Sequence, residues 1–130
     1  MKIPFSIGDT KTFSRIITEA DVAAFEAGVV HPVYATFALA RDAEWSGRLF
    51  VLEMKEAHEE GIGSGLEIKH RSPALLGSTV HFTATLEAVN GNEVITVFSA
   101  KVGERLIATG RQWQRVLAKE KIEALFAGIA

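Results

Sequence analysis

From Gly61 onward the apolar positions fall at every second residue, the period of a strand with one buried face. Ile62, Ser64, Leu66, Ile68 and His70 are expected on one side, with Gly63, Gly65, Glu67, Lys69 and Arg71 on the other, and Ser72-Pro73 ends the run. Val80, Phe82, Ala84, Leu86 and Ala88 then alternate with Thr79, His81, Thr83, Thr85 and Glu87, a half-buried strand. Asn90-Gly91 signals a tight hairpin because both residues tolerate positive φ. Residues 93–102 return as a strand, Gly103-Glu104 turns again, and residues 105–117 make a last long strand.

The first half reads differently. Residues 10–17 suit a strand. Thr18 with Asp21 three residues on resembles a capped helix start, which predicts a short helix to about Glu26, with His31-Pro32 in the loop beyond. A longer helix is expected from Tyr34–Phe37 to about His58, rich in Ala, Leu, Glu and Arg. Its apolar residues, from Phe37 and Leu39 to Leu52 and Met54, cover much of the circumference, which predicts a helix largely wrapped by other structure. Gly47 in its middle costs about 1 kcal/mol relative to Ala, so close packing against a neighbour is expected there. Lys119 to Phe126 reads as a short amphipathic helix. A long apolar helix followed by an antiparallel meander buries itself in the concave face of the sheet. That is an α+β chain with the hot-dog fold, in a single domain spanning residues 1–130, and pairing of sheet edges in a homodimer, with higher assembly open, would remove exposed strand edges.

Composition narrows the functions. The 130 residues carry 14 basic and 16 acidic side chains, net −2, with no basic stripe, so no nucleic-acid partner is expected. Cysteine is absent, which excludes disulfides and thiolate catalysis in this chain and fits a reducing compartment. Residues 1–5 have no apolar core of a signal peptide, and no run suits a membrane span, so a cytoplasmic protein without membrane attachment is expected. No His-Glu-x-x-His pair, Gly-x-Ser-x-Gly elbow or phosphate loop is present, so neither a metal nor a separate cofactor is expected.

Three polar residues stand where apolar or merely solvated ones would be expected. His70 shares a face with Ile62, Leu66 and Ile68; it reads as a hydrogen-bonded core histidine or as a general base. Glu44, between Ala43 and Trp45, reads as a partner of Arg41 or Arg48 at helical spacing, or as a carboxylate that orients a histidine or polarises water. Thr36 reads as the N-cap of the long helix or as a nucleophile. Eight helical residues rise about 12 Å, so Thr36 and Glu44 cannot touch in one straight helix, and the glutamate at a site could come from either subunit. Gly63 and Gly65 mark a bulge or a close ligand approach. His31, His58 and His81 suit a loop, a helix C-terminus and a solvated strand face.

Val33-Tyr34-Ala35-Thr36, Ala43-Glu44-Trp45, Gly63 through His70 and Gly110 through Arg115 together make the chain resemble the fluoroacetyl-CoA-specific thioesterases, over about Val33 to Phe126. The resemblance implies a catalytic set of Thr36, Glu44 and His70, a glycine near the acyl group at Gly63, and a last-strand arginine at Arg115. It implies hydrolysis of a short or unusual acyl-CoA, with coenzyme A entering as part of the substrate. The phosphates would need cations such as Lys69, Arg71, Arg111 or Arg115. Glu26 to Pro32 departs from the family's lid, being shorter and lacking its phenylalanine. A non-catalytic acyl-CoA-binding module and an enoyl-CoA hydratase are the competing readings; for the latter, Val30-His31-Pro32 lacks the acid and asparagine.

Overall fold

The computed structural model describes all 130 residues. Five strands form one antiparallel sheet: β1 (Thr10–Ile16), β4 (Glu59–His70), β5 (Thr79–Asn90), β6 (Glu93–Val102) and β7 (Arg105–Ala118), in the order β1-β5-β6-β7-β4. Helix α1 (Thr36–Met54) lies in the sheet's concave face and touches all five strands. This is the expected hot-dog arrangement. A separate hairpin, β2 (Val22–Phe25) with β3 (Gly28–Tyr34), precedes α1, and α2 (Lys119–Ile129) ends the chain with no buried residue. No helix is long and apolar enough to cross a membrane.

Several local expectations give way to tertiary structure. In place of a short helix to Glu26 there is one 3-10 turn, Glu19–Asp21. The Asp21 carboxylate accepts from the Thr18 N–H at 2.9 Å and the Thr18 hydroxyl at 3.1 Å, as a cap should. The chain then leaves the turn at Val22 to pair with β3, which takes His31 and Pro32 out of a loop and into a strand. Helix α1 stops at Met54, four residues early, so His58 sits beyond its C-terminus in the turn into β4. The helix is also less wrapped than its composition suggests. One stripe is buried, including Leu39, Ala43, Ser46, Phe50 and Met54, while Phe37, Trp45 and Leu52 are exposed.

In β4 a bulge at Ser64 breaks the alternation: Gly63 pairs with Gln114, Gly65 with Trp113 and Leu66 with Gln112. Gly61, Gly63, Leu66, Ile68 and His70 therefore face α1, whereas Ile62 and Gly65 face away, so the single apolar face expected from period two is divided. Both hairpin turns place glycine first of two loop residues, Gly91 (φ 62°) and Gly103 (φ 56°); Asn90 itself stays in the strand, paired with Glu93. That position suits a type II′ turn, whose twist matches the flanking strands.

Two apolar cores lie under α1. One joins Tyr34, Leu39, Phe82, Phe98 and Ile107 beneath its first half; the other joins Phe50, Met54, Leu86, Val94 and Val116 beneath its second. Between them runs a polar layer. The Gln112 side-chain amide donates to the Glu44 carbonyl at 3.1 Å, and Thr96 donates to the Gln112 oxygen at 3.4 Å. Gly47 lets the helix sit on this layer: a Cβ there would lie 1.7 Å from Gln112 Oε1 and 2.6 Å from Thr96 Oγ1. Gly47→Ala gains about 1 kcal/mol of helix propensity but overpacks the layer. We expect a net loss of about 1–2 kcal/mol; a raised midpoint in urea would mean the layer yields freely.

Candidate active site

Thr36 is the first residue of α1, not its cap. The N-cap is Ala35, which has no side chain to satisfy the first turn's N–H groups, and that turn holds no acidic residue. The Thr36 hydroxyl is thus free, and it lies 3.1 Å from His70 Nδ1 at the end of β4. Thr36 is exposed and His70 half-buried. His70 Nε2 is enclosed yet has no hydrogen-bond partner within the chain. Burial holds the imidazole pKa below its ordinary value, against a weaker opposing pull from the Ser72 backbone.

Glu44 does not join this pair. It is exposed on α1, two turns beyond Thr36, in a recess with Arg41, Trp45, Arg48, Gly61, Gly63 and Gln114. Gly63 keeps that recess open, since a Cβ there would lie 2.5 Å from Glu44 Oε1. Neither arginine pairs with it: Arg41 binds Asp21 at 2.8 Å and Asp42 at 3.0 Å, and Arg48 binds Glu60 at 2.8 Å. The helical-spacing ion pairs expected for Glu44 are absent because closer carboxylates outcompete it. Seven residues of β4, about 20 Å of strand, separate Gly63 from His70. One chain therefore holds two of the three expected groups together and the third apart.

The expected cations divide as well. Lys69 and Arg71 are exposed on the sheet face turned away from α1, and Arg71 Nε donates to Thr109 Oγ1 at 3.0 Å. Arg115 is tied to Glu93 at 3.2 Å and Asn92 at 3.1 Å, near the opposite end of β7 from Ala108, the partner of His70. His31 is exposed in β3, His58 lies in the turn before β4, and His81 Nδ1 is 2.8 Å from Ser14 Oγ on the outer face.

The model of the fluoroacetyl-CoA-specific thioesterase family, FlK, matches residues 17–120. The chain belongs to this family. A hypothetical protein of Thermus thermophilus, described as a thioesterase superfamily member, is 38% identical over 97% of this chain and 93% of its own, with a TM-score of 0.92. The fluoroacetyl-CoA thioesterase FlK shares 22% identity over 98% of this chain and 99% of its own at a TM-score of 0.89. A hot-dog-like protein from Thermanaerovibrio acidaminovorans shares 21% over 95% and 92% at 0.87. The last two comparisons speak for the fold. Among proteins of curated function, none matches the chain.

Behind Thr36 lies a buried ionic cluster that the sequence pattern alone does not announce. The fully buried Asp42 carboxylate accepts from the Tyr34 hydroxyl, from Arg15 at 3.0 Å and from Arg41 at 3.0 Å. Arg41 continues to the buried Asp21, whose backbone carbonyl accepts from the Ala35 N–H at 2.8 Å. Burial, then Asp42, raises the Tyr34 phenol well above its usual range, and Asp42, then Asp21, raises the Arg41 guanidinium. The cluster fixes the corner from which Thr36 emerges. Its trace in the sequence is Asp42, which stands on the same helical stripe as Leu39 and Ser46, and a charge on a buried stripe requires partners.

The His70 shift gives a pH expectation. A depressed pKa keeps the imidazole neutral, and competent as a base, below the ordinary value of about 6.5. In Glu44→Ala, where no carboxylate from a second copy can raise the imidazole, any residual His70-dependent rate should stay level as pH falls to that value and decline only at lower pH. A kcat/KM profile inflecting above 7 would contradict it.

Proposed function

We propose that this protein is an acyl-CoA thioesterase acting on a short or unusual acyl group, with Thr36, His70 and Glu44 as its catalytic set. The observation that carries the reading is the hydrogen bond between Thr36 and His70 at an uncapped helix N-terminus, in a chain of a thioesterase family. Thr36 Oγ attacks the thioester carbonyl while His70 Nδ1 takes its proton. Main-chain N–H groups of the first turn of α1, unsatisfied by any cap, face the developing oxyanion. Coenzyme A leaves as the thiol, and water then releases the acid. FlK variants have been solved with fluoroacetate and CoA and with acetyl-CoA, and this chain's substrate is proposed to belong to the same acyl-CoA class.

Protonation of Nδ1 leaves an imidazolium whose buried Nε2–H needs an acceptor. Glu44 of a second copy supplies it in a homodimer. Strand β4 is a sheet edge, and β4 strands pair antiparallel about a two-fold axis through Glu67, which sets Ile68 against Leu66 and takes up the Ser64 bulge beyond them. That axis sets Gly63 of one chain, with Glu44 above it, against His70 of the other. Phe37, Trp45 and Leu66, at 51%, 40% and 37% exposure, line the α1 side of the same seam.

The test is release of free CoA from an acyl-CoA panel, followed by subunit mixing. Glu44→Ala and His70→Ala homodimers should both be crippled. Mixed dimers should regain about a quarter of wild-type activity, since half the dimers are hybrid and each hybrid holds one intact site. Mixing without recovery, with exchange verified, removes the shared site. Tight acyl-CoA binding with no turnover would instead support a binding module, and loss of enoyl absorbance without CoA release a hydratase.

A further inference from the structure

The recess that holds Glu44 also holds a buried amide with no partner. It is a hollow of about 260 Å³ between α1 and the sheet, walled by Glu44, Trp45 and Arg48 and floored by Gly61, Gly63 and Gln114. The two glycines make the room. A Cβ on Gly63 would lie 2.5 Å from Glu44 Oε1, and one on Gly61 would lie 2.7 Å from Val51 Cγ1 and 3.2 Å from Gln114 Oε1. Gln114 enters this space from β7, where it pairs with Gly63. It is 4% exposed, yet its side-chain amide makes no hydrogen bond within the chain. Gln112, two residues earlier and also buried, shows the contrast: it donates to the Glu44 carbonyl and accepts from Thr96. A buried polar group left unpaired destabilises a fold, so its retention at a concave site points to a ligand.

The hollow lies where an acyl chain would run. In the homodimer Gly63 of one copy stands against His70 of the other, and from Gly63 to Gly61 the strand advances about 7 Å, the span of a few carbon–carbon bonds. A thioester carbonyl at the Thr36–His70 pair of one copy therefore sends its acyl tail past Glu44 of the other to Gln114. Charge limits what that tail carries. Arg48 is tied to Glu60 at 2.8 Å and Arg41, at the rim, to Asp21 at 2.8 Å, whereas Glu44 has no cation partner. A second carboxylate would meet the charge of Glu44 with no free cation to offset it. A plain hydrocarbon would strip water from the amide and replace it with nothing. A hydroxyl, donor and acceptor at once, satisfies either end of the amide.

We infer that Gln114 sets the acyl specificity, and that the substrate is a short acyl-CoA carrying a neutral hydroxyl at its third carbon or beyond. Such a substrate is preferred over the plain acyl chain of the same length and over one ending in a carboxylate. The inference rests on the thioesterase reading with its shared site, and it names the acyl group that this reading leaves open.

The experiment measures free-CoA release from two matched pairs, 3-hydroxybutyryl-CoA against butyryl-CoA and 5-hydroxypentanoyl-CoA against pentanoyl-CoA, with succinyl-CoA as the anionic arm. In the wild type, kcat/KM should be at least about tenfold higher for the hydroxylated member of one pair or both. Succinyl-CoA should be no better than butyryl-CoA. Gln114→Leu, which keeps the volume and drops the amide, should shrink the preference severalfold, slowing the hydroxylated substrates and speeding the plain ones, and should melt no lower than the wild type. Hydrolysis with both pairs within about twofold in the wild type overturns the inference and spares the thioesterase, and that comparison needs no variant to fold. So does a preference that Gln114→Leu leaves unaltered, or succinyl-CoA as the best substrate of the panel. Hydrolysis of no thioester overturns the thioesterase reading instead. In that event, calorimetric titration with the same pairs decides the hollow independently. A hydroxylated thioester bound about tenfold more tightly than its plain partner, with the difference lost in Gln114→Leu, supports it; equal affinity or no binding overturns it.

Discussion

His70→Ala should lower kcat for thioester hydrolysis by about a thousandfold or more while the protein stays folded. General-base assistance alone contributes about 10²–10⁴. Here the ring is the base that activates the nucleophile, 3.1 Å from its hydroxyl, so that assistance is lost whole. Stability should change little, because His70 is only half-buried at the end of β4 and its side-chain partner within the chain, Thr36, is exposed. Thr36→Ala should produce a loss of similar size, and the double variant should be scarcely worse than either single one, as expected for residues that act as a unit. Free-CoA release on the best substrate of the panel is the measurement. Turnover of His70→Ala within tenfold of wild type would end the proposed mechanism.

How much of this was legible beforehand depends on whether the signal was local or assembled by the fold. The meander from Gly61 was readable because period-two alternation and glycine turns are local properties, and the long helix because Ala, Leu, Glu and Arg dominate between Thr36 and Met54 despite Gly47. Thr36, Glu44 and His70 stood out by position, and the family resemblance joined them into one catalytic set. What the sequence could not carry is where pairing overrides propensity. Residues 22–25 leave a well-formed cap for a hairpin because β3 offers them a partner, and the Ser64 bulge moves Gly63 onto the face of His70 because it accommodates the register against β7. Separation of Glu44 from His70 is likewise invisible in one dimension: the same spacing would serve a one-chain or a two-chain site.

Asp42→Ala should be the most damaging single change to stability away from the catalytic groups. Asp42 is fully buried and receives Tyr34, Arg15 and Arg41, so truncation leaves the Tyr34 hydroxyl buried and unpaired. Removing one partner of a buried ionic group costs about 3–5 kcal/mol. Arg15 and Arg41 are 39% and 50% exposed and recover some hydration, which places the expected loss near the lower end, about 3 kcal/mol. In thermal terms that is about 10 °C for a chain of this size. Tyr34→Phe should cost only about 1 kcal/mol, because Asp42 keeps both arginines. Asp21 adds a pH signature. Burial would raise its pKa, but the Thr18 backbone and Arg41 outweigh that and hold it below the ordinary carboxylate value. Its contribution is therefore present above the unfolded pKa near 4 and lost as pH falls through the lower folded value. A melting temperature for Asp42→Ala within 2 °C of wild type, in which 2 °C is about half a kcal/mol, would show the cluster to be dispensable.

The band of Thr96, Gln112 and Gly47 across the middle of α1 divides labour along the molecule. Everything proposed for the chemistry on Thr36 and His70 rests on the half that contains Leu39, Phe82 and Ile107. The other half, built on Phe50, Leu86 and Val94, carries no part of that pair. Changes in well-separated sites add nearly independently. An engineer seeking a hardier catalyst should therefore redesign around Phe50 and leave the Tyr34 end alone.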